Sequence, residues 1–134
     1  MKLSKKLEVT KEEFFDRLCF SVLEDIKKYS GSIRIKKGLQ YTKKLSNGTT
    51  ANVEISDYDY ANLYEVKIST FMGTNVMKYR LENDSVIYEE KFYPKTLMYK
   101  LNYFLTSLIF YRKNKKKIYN LICMIENYVK ENRK

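Results

Sequence analysis

Glu90 follows Tyr88 and precedes Phe92 at two-residue spacing, so on an extended chain the three side chains share one face. If that face is buried, the carboxyl is desolvated, its pKa rises, and it could act as a general base or hold a polar ligand group. The competing reading is a bulge or a one-residue register change that leaves Glu90 in solvent. The cost of a lone buried carboxylate favours that second reading. Lys43 raises the same question on an earlier stretch, where nearness to a sheet edge would account for it. Histidine is absent, which excludes Ser-His and Cys-His nucleophile pairs, imidazole metal ligands and imidazole pH switching. Two cysteines, Cys19 and Cys123, are too few for a structural zinc site. They fall on helical stretches, as small hydrophobes do, and neither has a His or a clear helix N-terminus to activate it. No glycine-rich phosphate loop occurs. These residues call for no cofactor and no metal, and they favour a binding protein over an enzyme.

The second chemistry-bearing stretch is "RKNKKK", residues 112–117. The chain holds 26 basic and 16 acidic side chains, a net +10. Residues 95–134 carry 10 basic and 2 acidic groups, whereas residues 1–94 carry 16 and 14, so the excess belongs to the C-terminal segment. Arg112, Lys113, Lys115, Lys116 and Lys117 could bind phosphates in a salt-dependent way, on RNA, an anionic membrane or an acidic protein. Heptad spacing gives the blander answer. Leu101, Leu108, Lys115, Ile122 and Val129 fill one seam position, and Phe104, Tyr111, Ile118 and Ile125 the other. The apolar stripe runs straight through the charges, and only Lys115 interrupts it, with an alkyl stem that can lie on a core while its ammonium reaches water. The run is therefore expected to be mainly a solvated helix face. Nucleic acid or an anionic membrane surface is possible but not favoured, because no stacking or groove-reading motif accompanies the charge.

The elements that would position these groups follow from periodicity. Residues 2–9 alternate, with Leu3, Leu7 and Val9 on one side and Lys5 as a misfit on that inner phase. Thr10 and Glu13 form a capping-box pattern, after which Phe15, Leu18, Val22 and Ile26 make a helical stripe that ends at Ser30-Gly31. Five strands follow over 39–45, 50–58, 63–70, 75–82 and 86–93, joined by connections short enough for an antiparallel meander. Asn47-Gly48 tolerates positive φ at both central positions, as a tight hairpin requires. Pro94 ends the sheet, and from about residue 95 the pattern is helical. About thirty helical residues make roughly 45 Å. A seven-residue strand spans only about 23 Å, so the helix must overhang the sheet or begin as a separate piece.

With 134 residues, 44% apolar and 31% charged, the chain can bury a core without staples and reads as a single domain over 1–134. One Pro and four Gly leave little room for linkers. No apolar run reaches bilayer length and the N-terminal residues hold no continuous apolar core, so the expected location is the cytoplasm.

Four stretches carry a resemblance to a known superfamily. "KLEVTKEEFFDRL" resembles the opening strand and helix of the START-like, birch-pollen-allergen-like superfamily called SRPBCC. "LQYTKKLSNGTTANVEI" and "STFMGTNVMKYRLE" resemble a small Gram-positive bacterial family within it, catalogued as a domain of unknown function. "LNYFLTSLIFYRKNKKKIYNLICMIENYVKEN" resembles that family's basic C-terminal helix. The resemblance implies an α+β helix-grip fold, a curved antiparallel sheet of about six strands wrapped around a long C-terminal helix, in the order β-α-β-β-β-β-β-α. It also implies a cavity between sheet and helix that takes a small hydrophobic molecule, and it brings no catalytic residue. The inward strand phases nominate Tyr41, Val53, Ile55, Tyr64, Val66, Ile68, Met77, Tyr79, Tyr88, Glu90 and Phe92 as cavity lining, faced by Phe104, Leu108 and Tyr111 of the helix. The alternative is that these side chains simply fill a core. Thirteen tyrosines lean towards a pocket, since each buried phenol needs a partner.

Overall fold

Thr10 caps a helix and Pro94 closes a sheet, and these two residues divide the chain into its main parts. A computed structural model describes residues 1–133, and within residues 107–111 it describes the helical path without the side chains. The elements are β1 (Lys2–Lys6), α1 (Lys11–Ser30), β2 (Gln40–Lys44), β3 (Thr50–Asp59), β4 (Leu63–Thr70), β5 (Gly73–Leu81), β6 (Ser85–Pro94) and α2 (Leu97–Glu131). The six strands form one curved antiparallel sheet in the order β1-β6-β5-β4-β3-β2. The meander β2–β6 is sequential, and β1 pairs with β6 rather than β2 because α1 carries the chain to the opposite edge.

The local signals act as their chemistry requires. Thr10 Oγ1 accepts from the Glu13 N–H at 3.1 Å and the Glu13 carboxylate accepts from the Thr10 N–H at 3.0 Å, so both sides of the box are made. Gly31 closes α1 in the left-handed region at φ 73°. The β2–β3 hairpin differs from expectation. Only Gly48 has positive φ, at 83°, while Asn47 keeps a negative one and its Oδ1 accepts from the Thr49 N–H at 3.0 Å. A turn closed by the Gly48 N–H on the Leu45 carbonyl at 2.9 Å needs one left-handed residue, where a two-residue turn needs two. A bulge between Ile55 and Asp57 shifts the β3–β4 register and brings Tyr58 to the core side, its ring 5.8 Å from that of Phe15.

Phe14, Phe15 and Ile26 of α1, Ile55, Val86 and Tyr88 of the sheet and Ile122 of α2 are fully buried in one cluster, so both helices cover the same sheet face. Ile118, Ile125 and Val129 pack against this cluster. Lys5, the inner-phase misfit, has a partner here. Its Nζ sits 2.6 Å from Oε1 of Glu126, the one buried charged residue among those described, and Glu126 Oε2 accepts from the Glu8 N–H at 2.7 Å.

The other half of α2 departs from the expected stripe. Leu101 and Phe104 share the heptad seam with Ile118 and Ile122, yet they are 61% and 58% exposed. At 35 residues α2 is about 52 Å long, against about 33 Å for the ten-residue β6. The rod is pinned at its C-terminal half, so its N-terminal half overhangs. That half touches the sheet through the ring pairs Phe92–Tyr103, at 4.9 Å, and Phe71–Tyr99, at 6.1 Å. Among the described residues no helix is long and apolar enough to cross a membrane.

Candidate functional site

Strand register arranges the inward side chains in rows. Leu3, Tyr88, Tyr79 and Tyr64 face one another in turn from β1 to β4. Glu90, Met77, Val66 and Ile55 make the next row, and Phe92, Asn75, Ile68, Val53 and Tyr41 the third. Every sheet residue nominated from the sequence falls in these rows. They do not all reach one space. A cavity of about 300 Å³ lies between α1 and the sheet, lined by Tyr41, Val53, Tyr64, Val66, Ile68, Met77 and Tyr79. Leu18, Ser21, Val22 and Asp25 of α1 and Lys43 of β2 complete its wall. Ile55 and Tyr88 are closed into the core beside it, and Glu90 and Phe92 lie further along β6, outside the lining.

The helical wall is α1, where the sequence pointed to α2. Phe104 is exposed and does not line the cavity, because that half of α2 meets the sheet through Tyr99 and Tyr103 instead. Leu108 and Tyr111 lie outside the residues whose side chains are described. Besides a hollow of about 360 Å³ between α1 and the end of α2, lined mainly by charged and polar side chains, larger hollows of about 450, 440 and 570 Å³ are lined by strand and turn residues alone, largely the polar outer phase Asn52, Glu54, Lys67 and Ser69. They have no second wall to take a ligand out of water.

Polar groups around the cavity fall into three sets. At the rim Asp25 Oδ2 accepts from Tyr41 Oη at 2.7 Å and from Lys43 Nζ at 3.0 Å. Lys43 thus points inward with its charge neutralised by α1, which the sequence did not reveal. Burial raises the Tyr41 pKa, and the Asp25 hydrogen bond and charge raise it further. Deeper in the sheet Tyr88 Oη donates to Glu90 Oε1 at 3.0 Å, with Asn75 Nδ2 3.4 Å from the same oxygen. Glu90 keeps its strand phase with no register shift between β5 and β6. Its carboxylate is half-buried and shared with two neighbours rather than bare. Burial, then the Glu90 charge, raises the Tyr88 pKa.

The third set is Tyr64 and Tyr79. They are direct cross-strand partners with rings 6.3 Å apart, 5% and 7% exposed, and both line the cavity. Among the described residues neither hydroxyl has a hydrogen-bond partner. Burial raises the Tyr64 pKa and, with the Glu90 charge second, pushes Tyr79 up to about 12. Both are therefore neutral donors across the physiological range. The arrangement can hold an apolar body and orient it by hydrogen bonds. Among the described residues no group of three His, Cys, Asp or Glu side chains is placed to hold a metal ion.

The basic run sits apart from this cavity. Arg112, Lys113, Lys116 and Lys117 are exposed on α2, and Lys115 is half-buried.

Residues 1–130 match the family model described as a domain of unknown function, DUF3284. No curated protein matches the sequence. Solved structures share the fold at low identity. DynU16, a protein of the dynemicin biosynthetic locus, superimposes with a TM-score of 0.62 at 7% identity over 97% of this chain. The chain spans only 46% of the DynU16 length. Protein MLL2253 from Mesorhizobium loti gives 0.63 at 8% identity, covering 100% of this chain and 98% of its own. Ara h 8.0201 gives 0.61 at 15% identity, covering 98% of this chain and 97% of its own. The architecture is the helix-grip α+β fold of the START-like, birch-pollen-allergen-like superfamily.

Proposed function

This chain belongs to the DUF3284 family, and from that premise we propose that it binds a small hydrophobic molecule in the cavity between α1 and the sheet. The observation that carries this reading is the cavity itself, about 300 Å³ bounded by α1 and four adjacent strands, with an apolar and aromatic floor and a few placed polar groups. Tyr41, Val53, Tyr64, Val66, Ile68, Met77 and Tyr79 are its contacts from the nominated set, with Leu18 and Val22 added by α1. Ile55, Tyr88, Glu90 and Phe92 support that surface from beside it. The protein acts by binding rather than by catalysis, as one domain over 1–134 in the cytoplasm, where the free thiols of Cys19 and Cys123 are at home.

Titration with the apolar dye N-phenyl-1-naphthylamine tests this. Ile68→Trp places an indole where the cavity floor now holds a half-buried Ile, and dye affinity should fall at least tenfold while thermal unfolding stays cooperative. Unchanged affinity in a folded Ile68→Trp variant rejects the cavity as the site.

A second reading has its own observation. Leu97, Met98, Leu101, Phe104 and Leu105 are exposed on the overhanging turns of α2, followed along the helix by Arg112, Lys113, Lys115, Lys116 and Lys117. Exposed apolar residues beside a basic run suit an anionic phospholipid surface better than RNA. Co-sedimentation with phosphatidylserine vesicles, lost when Lys113, Lys115, Lys116 and Lys117 become Glu, supports it. Equal recovery with and without that change removes it.

A further inference from the structure

We propose that the ligand carries a neutral hydrogen-bond acceptor, such as a ketone oxygen on an otherwise hydrocarbon body, and that the phenols of Tyr64 and Tyr79 recognise it. The inference rests on the cavity reading above and names the ligand chemistry that the cavity selects.

Three tyrosines line the cavity and Tyr88 is buried beside it, and two of these four are already satisfied. Tyr41 donates to Asp25 at 2.7 Å and Tyr88 to Glu90 at 3.0 Å. The residues Tyr64 and Tyr79 are buried to more than nine-tenths with their hydroxyls open to the cavity, where neither meets a hydrogen-bond partner among the described residues. A buried phenol is rarely left without one. Water can supply partners while the cavity is wet. A pure hydrocarbon entering it displaces that water and strands both hydroxyls, whereas a ketone oxygen, with two lone pairs, accepts from both.

The charge pattern excludes other classes. Lys43 is the one cation in the lining, and it is paired with Asp25 at 3.0 Å, so a carboxylate ligand would meet no free counter-charge and would lie close to Asp25. An ammonium ligand would compete with Lys43 for the same oxygen. Apart from the exposed Ser21 on α1, Tyr64 and Tyr79 are the polar lining groups without a bond among the described residues, and burial keeps both protonated.

Two shape-matched probes separate this from the cavity reading itself. The ketone 2-acetonaphthone and the hydrocarbon 2-ethylnaphthalene are competed against bound N-phenyl-1-naphthylamine. The native chain should prefer the ketone by about tenfold or more, the discrimination that leaving a buried polar group unpaired imposes. In Tyr64→Phe/Tyr79→Phe the preference should vanish, while the hydrocarbon binds at least as tightly as before. Each single variant should lie between, and because Tyr→Phe preserves the ring packing all three should unfold cooperatively. Equal affinity for the two probes in the native chain, or a ketone preference that survives the double variant, overturns this inference and leaves the cavity reading standing. Displacement by neither probe overturns both.

Discussion

Replacing Lys5 by Met tests how α2 is fastened to the sheet. The Lys5 side chain is 11% exposed and that of Glu126 is 1% exposed, with Nζ and Oε1 2.6 Å apart. That contact is the only partner of Oε1 among the described residues. Burial works to lower the Lys5 pKa, but the hydrogen bond and charge of Glu126 outweigh it and raise the value above 10.5. The pair's contribution from Lys5 is therefore complete below about pH 10.5 and is lost as pH climbs through the raised folded value. At pH 7, Lys5→Met leaves a carboxylate in the core with one backbone donor, the Glu8 N–H at 2.7 Å. Removing one member of a buried pair costs about 3–5 kcal/mol, a large fraction of the 5–15 kcal/mol that holds a domain together. At about 3 °C per kcal/mol for a chain of this size, the midpoint should fall by about 10 °C or more. Glu126→Met should cost a similar amount, plus about 1 kcal/mol for the stranded Glu8 N–H. The double variant replaces both charges with apolar groups of similar volume and should recover most of the loss. Urea unfolding followed at 222 nm gives the four corners of the cycle, and a coupling of about 2 kcal/mol or more is expected. Additive losses within about 0.5 kcal/mol would refute the reasoning, because the two groups would then not be acting on each other.

Other outcomes follow from single sites. A Cβ built on Gly73, at φ 151°, would lie 2.4 Å from the Tyr93 carbonyl oxygen and 2.9 Å from Pro94 Cα. Both are backbone atoms, so Gly73→Ala should destabilise by about 2 kcal/mol or more in urea unfolding, whereas alanine at Gly38 meets nothing within 4 Å and pays only its positive φ. Arg133 holds the exposed Glu13 carboxyl down from 4.5 to about 2, aided by the Thr10 N–H. That interaction is present above pH 4.5 and is lost as pH falls towards 2; NMR titration should show the Glu13 midpoint return towards 4.5 in Arg133→Gln. Burial, with the charge of Asp16 second, pushes the Cys19 thiol up to about 12. Its reaction with a disulfide reagent at pH 8 should be slow in the folded chain and rise by an order of magnitude or more in urea; equal rates in both states would contradict its burial.

The sequence carried the fold further than the site. Alternation in "ANVEI" and "NLYEVKI" placed the strands because a sheet with one covered face repeats every two residues, and the Thr10–Glu13 box and Pro94 marked ends that depend on local chemistry alone. Asn47 departed from expectation because one Asn-Gly pair suits two hairpin lengths, and the choice lies in the hydrogen bond from Gly48 to Leu45. The partners of Lys5 and Lys43 stayed hidden for another reason. Glu126 and Asp25 are distant in sequence and sit on helices, where an acidic residue ordinarily signals a wet face. Both lysines did interrupt an inward phase, and that interruption was the available sign that a counter-charge lay opposite. For α2, element lengths required an overhang or a separate first piece but did not say which end would overhang, since Leu101 and Phe104 satisfy the heptad as well as Ile118 and Ile122. Only the ion pair and the packed C-terminal half decide it, and with them that α1 walls the cavity.

Intermolecular NOEs from bound N-phenyl-1-naphthylamine to methyl-labelled protein bear most directly on that placement. Contacts to Val53, Val66, Ile68 and Met77, with none to Val76 or Ile87 on the outer strand phase, are the expected result. Contacts confined to Leu97, Leu101 and Leu105 of α2 would put the dye on the overhanging helix and contradict a cavity between α1 and the sheet.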